Sequence, residues 1–218
     1  MLINSNSPKK LRPGTARRRR EILDAALECF LKQGVEGTSI EQIRKLSGAS
    51  HGSIYHLFES KNAIACTLFL EGVERYQNLM LDQVRNTESP RGKMEVMIRT
   101  HLKYSHEHPA LALYLSRMGL SDLIESIEKQ YRLLREKFVQ AIYEEFVPFI
   151  ERGQLLDLDS HYFFLQITGP CSQLARAWLV RQTEIRDIIA YTEQLTSCAW
   201  NSLKKEEGAS LKRPLPFD

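Results

Sequence analysis

No segment of this 218-residue chain alternates polar and apolar residues for long enough to make a convincing strand, which leaves helix as the regular structure its pattern supports. No apolar run approaches the roughly 18 residues that a membrane-crossing helix needs. The opening residues, MLINSNSPKK, lack the apolar centre of a secretion signal, so the expected location is the cytoplasm, with no membrane partner. Cysteine is scarce: Cys29, Cys66, Cys171 and Cys198 lie far apart and form no CxxC pair. In a reducing compartment such cysteines read as small buried hydrophobes, not as disulfides or zinc ligands, although a redox-sensing Cys171 stays open. Also missing are a nucleophile with an adjacent base, a Gly-rich phosphate loop and any carboxylate pair with a reason to be buried. Glu144-Glu145 and Glu206-Glu207 read as solvated faces. These absences argue against an enzyme, and no cofactor or metal is expected.

What the chain has is an uneven charge. Residues 1–61 hold 11 Lys or Arg and 6 Asp or Glu, whereas the other 157 residues hold 19 and 21. Seven basic residues and no acid fall between Lys9 and Arg20. A basic end on a near-neutral body points to a polyanion at that end; the plainer alternative is a solvated tail.

Apolar spacing and the Gly, Pro and Ser punctuation predict an all-α chain of about nine helices. Ile22, Leu23, Ala26, Leu27, Phe30 and Leu31 share one face of a helix between Thr15 and Gln33, and Gly34 is its stop. Thr38-Ser-Ile-Glu41 has the form of a capping box that opens a short helix bearing Ile40, Ile43 and Leu46. Ser47-Gly48-Ala49 reads as a tight turn, Ser50 as the cap of a second short helix ending near Phe58, and Ser60 as the cap of a longer one. After a loop at residues 86–92, helices are expected at about 93–106, 109–118, 120–152, 159–181 and 184–205. Pro148 should kink its helix or mark its last turn, and Gly169-Pro170 should break or kink another.

Two short helices joined by a Gly-containing turn, with an amphipathic helix before them, make a helix-turn-helix arrangement. In that arrangement the second short helix lies in the DNA major groove. This accounts for the composition of SHGSIYHLF. Small residues (Ser50, Gly52, Ser53) allow close approach, His51 and Ser53 offer hydrogen bonds at base edges, and Ile54 with Phe58 hold the helix to its own core. Tyr55 and His56 point outward, within reach of phosphate oxygens.

Residues 34–61, GVEGTSIEQIRKLSGASHGSIYHLFESK, resemble the N-terminal domain of the TetR family of bacterial transcriptional regulators. The features that match are the GxxGTS turn, the xIxxxxG second helix and the GxIYxxFxSK run, and the similarity covers roughly residues 16–76. The resemblance implies that Thr38 caps the second helix and contacts a phosphate. It implies that His51, Gly52 and Ser53 face base edges, that Tyr55 and His56 touch backbone or base, and that Lys61 clamps a phosphate. Three departures stand out: His51 occupies a base-facing position where Lys is frequent, Asn62 follows Lys61 in place of an acid, and Ala49 replaces a larger apolar residue. Beside such a head, the basic run through Arg17 and Arg18 reads as an arm that grips DNA.

The organisation expected is a basic arm at 1–14, the helix-turn-helix domain at 15–61 with a connecting helix to about 76, a helical bundle at 77–205 and a loose tail at 206–218. The resemblance implies that the bundle binds a small, partly apolar effector and dimerises through its last two long helices. Candidate pocket residues are Tyr104, Tyr114, Met118, Phe138, Phe164 and Cys171; the plainer reading of each is an ordinary core residue. Candidate interface residues are Tyr162, Trp178, Tyr191, Leu195 and Trp200. His101, His106 and His108 cluster without the spacing of a helical zinc site, and His106 or His108 suits the negative end of a helix dipole. The function expected is a homodimeric repressor released from a palindromic operator by its effector. The alternative is a DNA-binding architectural or partner protein that uses the same head without a ligand.

Overall fold

The computed structural model describes residues 12–119 and 121–205, so the basic residues before Arg12 and the tail from 206 lie outside the described residues. Ten α-helices are present among the described residues: α1 (Pro13–Gly37), α2 (Ile40–Ser47), α3 (His51–Leu57), α4 (Lys61–Arg85), α5 (Pro90–Glu107), α6 (Pro109–Met118), α7 (Glu128–Glu144), α8 (Val147–Glu151), α9 (Ser160–Leu179) and α10 (Thr192–Leu203). Short 3₁₀ turns occupy Asp122–Ile127 and Ile189–Tyr191. No strand occurs among the described residues; one isolated bridge joins Leu155 to Lys204. The chain divides into two compact units, Met1–Phe69 and Leu70–Asp218, the division falling inside α4.

In the first unit, α1 starts at Pro13, whose missing N–H costs nothing in a first turn. Gly34, at φ 75° and ψ 170°, interrupts α1 near its end, a conformation that favours glycine. Ile22, Leu23, Ala26 and Phe30 of α1, Ile43 of α2, Ile54 and Phe58 around α3, and Ile64, Leu68 and Phe69 of α4 are buried. Each large side chain among them contributes about 1.5–3 kcal/mol when fully buried. Anchored in this shared core, α3 stays in place despite its seven residues, far too few for stability in isolation.

In the second unit, α5 packs against α6, α9 and α10, and α7 against α9. Met80, Met94, Met97, Ile98, Phe146, Phe163 and Ile167 form the centre of its core. Lys93 is buried there too; its ammonium donates to the Val84 carbonyl at 2.8 Å and to Glu145 Oε2 at 3.1 Å, and Arg85 reaches the other carboxylate oxygen at 3.4 Å. Glu145 is therefore a paired charge joining α4, α5 and the end of α7, not part of a solvated face.

Elsewhere the helices depart from the sequence pattern. The helix expected over 120–152 is three pieces. Ile127 leaves the helical region at φ −124°, ψ 12°, and Pro148 stands in the first turn of α8, so it starts a helix where it was expected to kink or finish one. The last helix begins at Thr192, not near 184, because Gln182–Ile188 follow an irregular path. Pro170 does not break α9, which runs unbroken from Ser160 to Leu179 and loses only the hydrogen bond that a proline has no N–H to make.

Candidate nucleic-acid interface

The capping box of α2 forms one residue later than the pattern suggested. Ser39 Oγ accepts from the Gln42 N–H at 3.2 Å and Gln42 Oε1 accepts from the Ser39 N–H at 2.7 Å. Thr38 is instead buried, its hydroxyl donating to the Gly34 carbonyl at 2.7 Å, so it braces the α1–α2 corner. Gly48 then ends α2 in the left-handed region at φ 63°, ψ 16°, which turns the chain toward α3 without a Cβ penalty. Ser50 caps α3, its Oγ accepting from the Ser53 N–H at 3.1 Å and lying 2.9 Å from Ser53 Oγ. Both serines are thus partly committed to starting the helix.

On α3, Ile54 is fully buried and faces its own unit, while His51, Gly52, Tyr55 and His56 are exposed. Positions 51, 52, 55 and 56 make one outward strip at helical spacing. Tyr55 is 54% exposed, its ring standing out from the head. A Cβ built on Gly52 meets no atom within 4 Å, so nothing in the protein itself requires glycine there.

The cations around the strip differ in how firmly they are held. Arg17 is 78% exposed and pairs with Glu21 only loosely, at 3.6 Å. Arg18 pairs with Glu21 at 2.8 Å and donates to the Ser47 carbonyl at the end of α2 at 3.5 Å. Arg19 lies over the Phe58 ring at 5.5 Å, a cation–π contact that helps fasten α1 to the end of α3. Lys61 Nζ donates to the Glu36 carbonyl at 2.9 Å. Arg44 and Lys45, in the last turn of α2, join the same surface although sequence reasoning did not single them out. Arg44 holds Glu41 through two 2.7 Å hydrogen bonds, which with Lys45 and His51 nearby keep that carboxyl down at about 2.

Residues 22–65 match the family described as bacterial regulatory proteins, tetR family. The head is a tetR-family head. The chain is 37% identical over 68 residues to the HTH-type transcriptional repressor Rv1474c of Mycobacterium tuberculosis, covering 31% of this chain and 36% of that protein. It is 26% identical over 182 residues to the Fatty acid metabolism regulator protein of Bacillus subtilis, covering 80% of this chain and 90% of that one. Among solved structures, the transcriptional regulator FadR from Bacillus subtilis, in complex with stearoyl-CoA, superposes with a TM-score of 0.72 at 19% identity, over 83% of this chain and 96% of that one. That likeness shows a shared helical fold that continues past the head and through the bundle.

In the bundle that follows the tetR-family head, Tyr104, Tyr114, Met118, Phe138 and Cys171 are buried, and Phe164 packs edge-on against Phe138 at 5.6 Å between centroids. Burial pushes the Cys171 thiol up to about 12 and it donates to the Thr168 carbonyl at 3.1 Å, both of which disfavour the thiolate that oxidation needs. Tyr76 OH and His101 Nδ1 are 2.7 Å apart in the interior, where burial holds the imidazole down at about 4. His106, in the last turn of α5, stacks on Trp178, and His108, its C-cap, lies against Tyr104. A groove of about 540 Å³ opens beside α6 and the end of α9, with Leu113, Trp178, Arg181 and Ile185 among its walls and none of the six candidate pocket residues. On α9, Tyr162 and Leu165 are 50% and 58% exposed, and Tyr191 is exposed before α10. Trp178, Leu195 and Trp200 pack at least partly against the unit's own core.

Proposed function

We propose that this protein is a sequence-specific, homodimeric DNA-binding transcriptional repressor that a small, partly apolar effector releases from a palindromic operator. One observation carries the DNA-binding reading: α3 is anchored on one side by Ile54 and Phe58, and presents on the other a strip whose glycine has no internal reason to be glycine. His51 and Ser53 read base edges in the major groove, and Tyr55, His56, Lys61 and Arg17 face phosphates. Arg18 supports from behind, Ser50 starts the helix, and Thr38 acts through the corner it braces.

The dimer forms through α9 and α10. Supporting this, Tyr162, Leu165 and Tyr191 are exposed, and a Cβ on Gly169 would meet nothing within 4 Å, which leaves room for a second helix close to α9. Two-fold symmetry then sets two recognition helices about one DNA turn apart. The effector binds in the bundle, where Tyr104, Tyr114, Met118, Phe138, Phe164 and Cys171 are the proposed inner wall. It favours a conformation with wrongly spaced heads, and so lowers operator affinity by its differential binding. The likeness in fold to a FadR solved in complex with stearoyl-CoA makes acyl-CoA thioesters the first effectors to test.

The test is selection from a random duplex pool, with winners compared against scrambled DNA across a salt series and sedimentation run alongside. A two-fold palindrome bound by a dimer is expected, weakened uniformly by Tyr55→Phe. Steeply salt-dependent binding without any preferred sequence would refute the specific-repressor reading and leave the architectural one.

A further inference from the structure

Because Ser39 and Gln42 cap α2, the carboxylate of Glu41 is free of that task. Arg44 clamps it, Nε donating to Oε2 and Nη2 to Oε1, both at 2.7 Å, which fixes the carboxylate plane. Across the Gly48 turn the same Oε2 lies 3.3 Å from His51 Nε2. Tyr55, one helical turn further along α3, stacks on the His51 ring with centroids 5.9 Å apart and planes 16° from parallel. The ring is thus held from two sides while its side chain remains 60% exposed.

We infer that Glu41 is a specificity-positioning residue: it fixes the hydrogen of the His51 ring on Nε2 and so decides which hydrogen-bonding character the ring offers to a base. The inference rests on the reading of α3 as the helix that enters the groove. A carboxylate only accepts, so the nitrogen facing it must carry hydrogen. In the neutral ring the remaining nitrogen, Nδ1, is then a bare acceptor. An acceptor suits the exocyclic amines of adenine and cytosine and is repelled by guanine O6 and N7. Without the carboxylate both tautomers are populated, and the ring offers a donor as readily as an acceptor. The charge acts in the opposite sense: an anion on a DNA-facing surface weakens sequence-independent binding to phosphate. Specific and non-specific affinity therefore respond to Glu41 in opposite directions, which a residue serving stability alone would not produce.

The experiment uses the full chain, with Glu41→Ala removing the acceptor and Glu41→Gln keeping an acceptor without charge. In DNA-free protein at about pH 8, where imidazoles are neutral, long-range ¹H–¹⁵N spectra of His51 should show the Nε2–H form in the parent and in Glu41→Gln, and a mixture in Glu41→Ala. In duplex selection the parent should take adenine or cytosine at one position of each half-site. Glu41→Ala should admit guanine and thymine at that position alone. Its ratio of operator to scrambled affinity should fall about tenfold or more, the size of one base discrimination, while the loss of a first-turn carboxylate and its Arg44 pair lowers the thermal midpoint only slightly. Glu41→Gln should keep the base preference and bind scrambled DNA more tightly than the parent. If the parent selects a palindrome and Glu41→Ala selects the same one, or shows the parent's tautomer, the inference falls and the regulator reading stands. If the parent selects no sequence at all, both fall.

Discussion

Gly52 is the position where the protein's own stability and its proposed function pull hardest in opposite directions. It is the second residue of α3, its backbone is helical with no positive φ, and a Cβ there would contact nothing within 4 Å. Alanine is favoured over glycine in a helix interior by about 0.8–1 kcal/mol, and first-turn positions realise only part of that. Gly52→Ala is therefore expected to stabilise the DNA-free head by about 0.5 kcal/mol, read as a higher urea midpoint at unchanged slope. On DNA the same methyl stands between the helix backbone and the groove. A displacement large enough to break one bidentate base contact costs about 1–3 kcal/mol, or roughly 10- to 100-fold in operator affinity. The salt dependence should stay as it was, because phosphate contacts are untouched. Gel-shift or anisotropy titrations on the selected operator measure both quantities. Parent-like operator affinity in Gly52→Ala would refute the argument that a partner explains the glycine; a lower urea midpoint would show that an internal reason was overlooked.

Three more outcomes follow from the second unit. His101 is held at about 4 against an ordinary 6.5 by burial, so the unfolded chain takes the proton first; stability is complete above about pH 6.5 and falls by up to about 3 kcal/mol on acidification toward pH 4. His101→Gln should flatten that slope in urea titrations between pH 7 and pH 5, and an unchanged slope would place the acid sensitivity elsewhere. Lys93→Ala leaves the Glu145 carboxylate with only Arg85 and should cost about 1–3 kcal/mol, whereas Lys93→Met, which keeps the buried stem, should lose less. Cys171 should resist thiol reagents until denaturant opens the bundle; modification at a rate independent of unfolding would contradict its burial and raised pKa.

Much of the head was legible because its signals are local. Gly34 and Gly48 mark positive-φ backbone that few residues adopt, Ser50 marks a helix start by its capping hydroxyl, and the 3.6-residue period of Ile22, Ala26 and Phe30 marks a buried face; none of these depends on distant parts of the chain. The outward strip on α3 was legible for the same reason, since the inward anchors Ile54 and Phe58 leave the other face free. The errors lie where two local readings compete. Thr38 and Ser39 both suit a cap, and only the corner geometry gives Thr38 to Gly34 and the cap to Ser39 with Gln42. Glu144 and Glu145 look alike in sequence, yet only the second meets Lys93 and Arg85, residues 52 and 60 positions away in the chain. Pro170 has the same ring as any helix-breaking proline, and α9 runs through it because packing along the rest of the helix outweighs one missing hydrogen bond.

The sequence by itself therefore determined the helical class, the helix-turn-helix head and the strip that faces outward, since periodicity, capping and turn chemistry act over fewer than about ten residues. Only the tertiary structure decided how firmly each cation is held, where the long C-terminal helical segments break, and that Glu41 reaches His51. Each of these depends on side chains brought together by folding, and the energy of such a meeting is written in no single stretch of the chain.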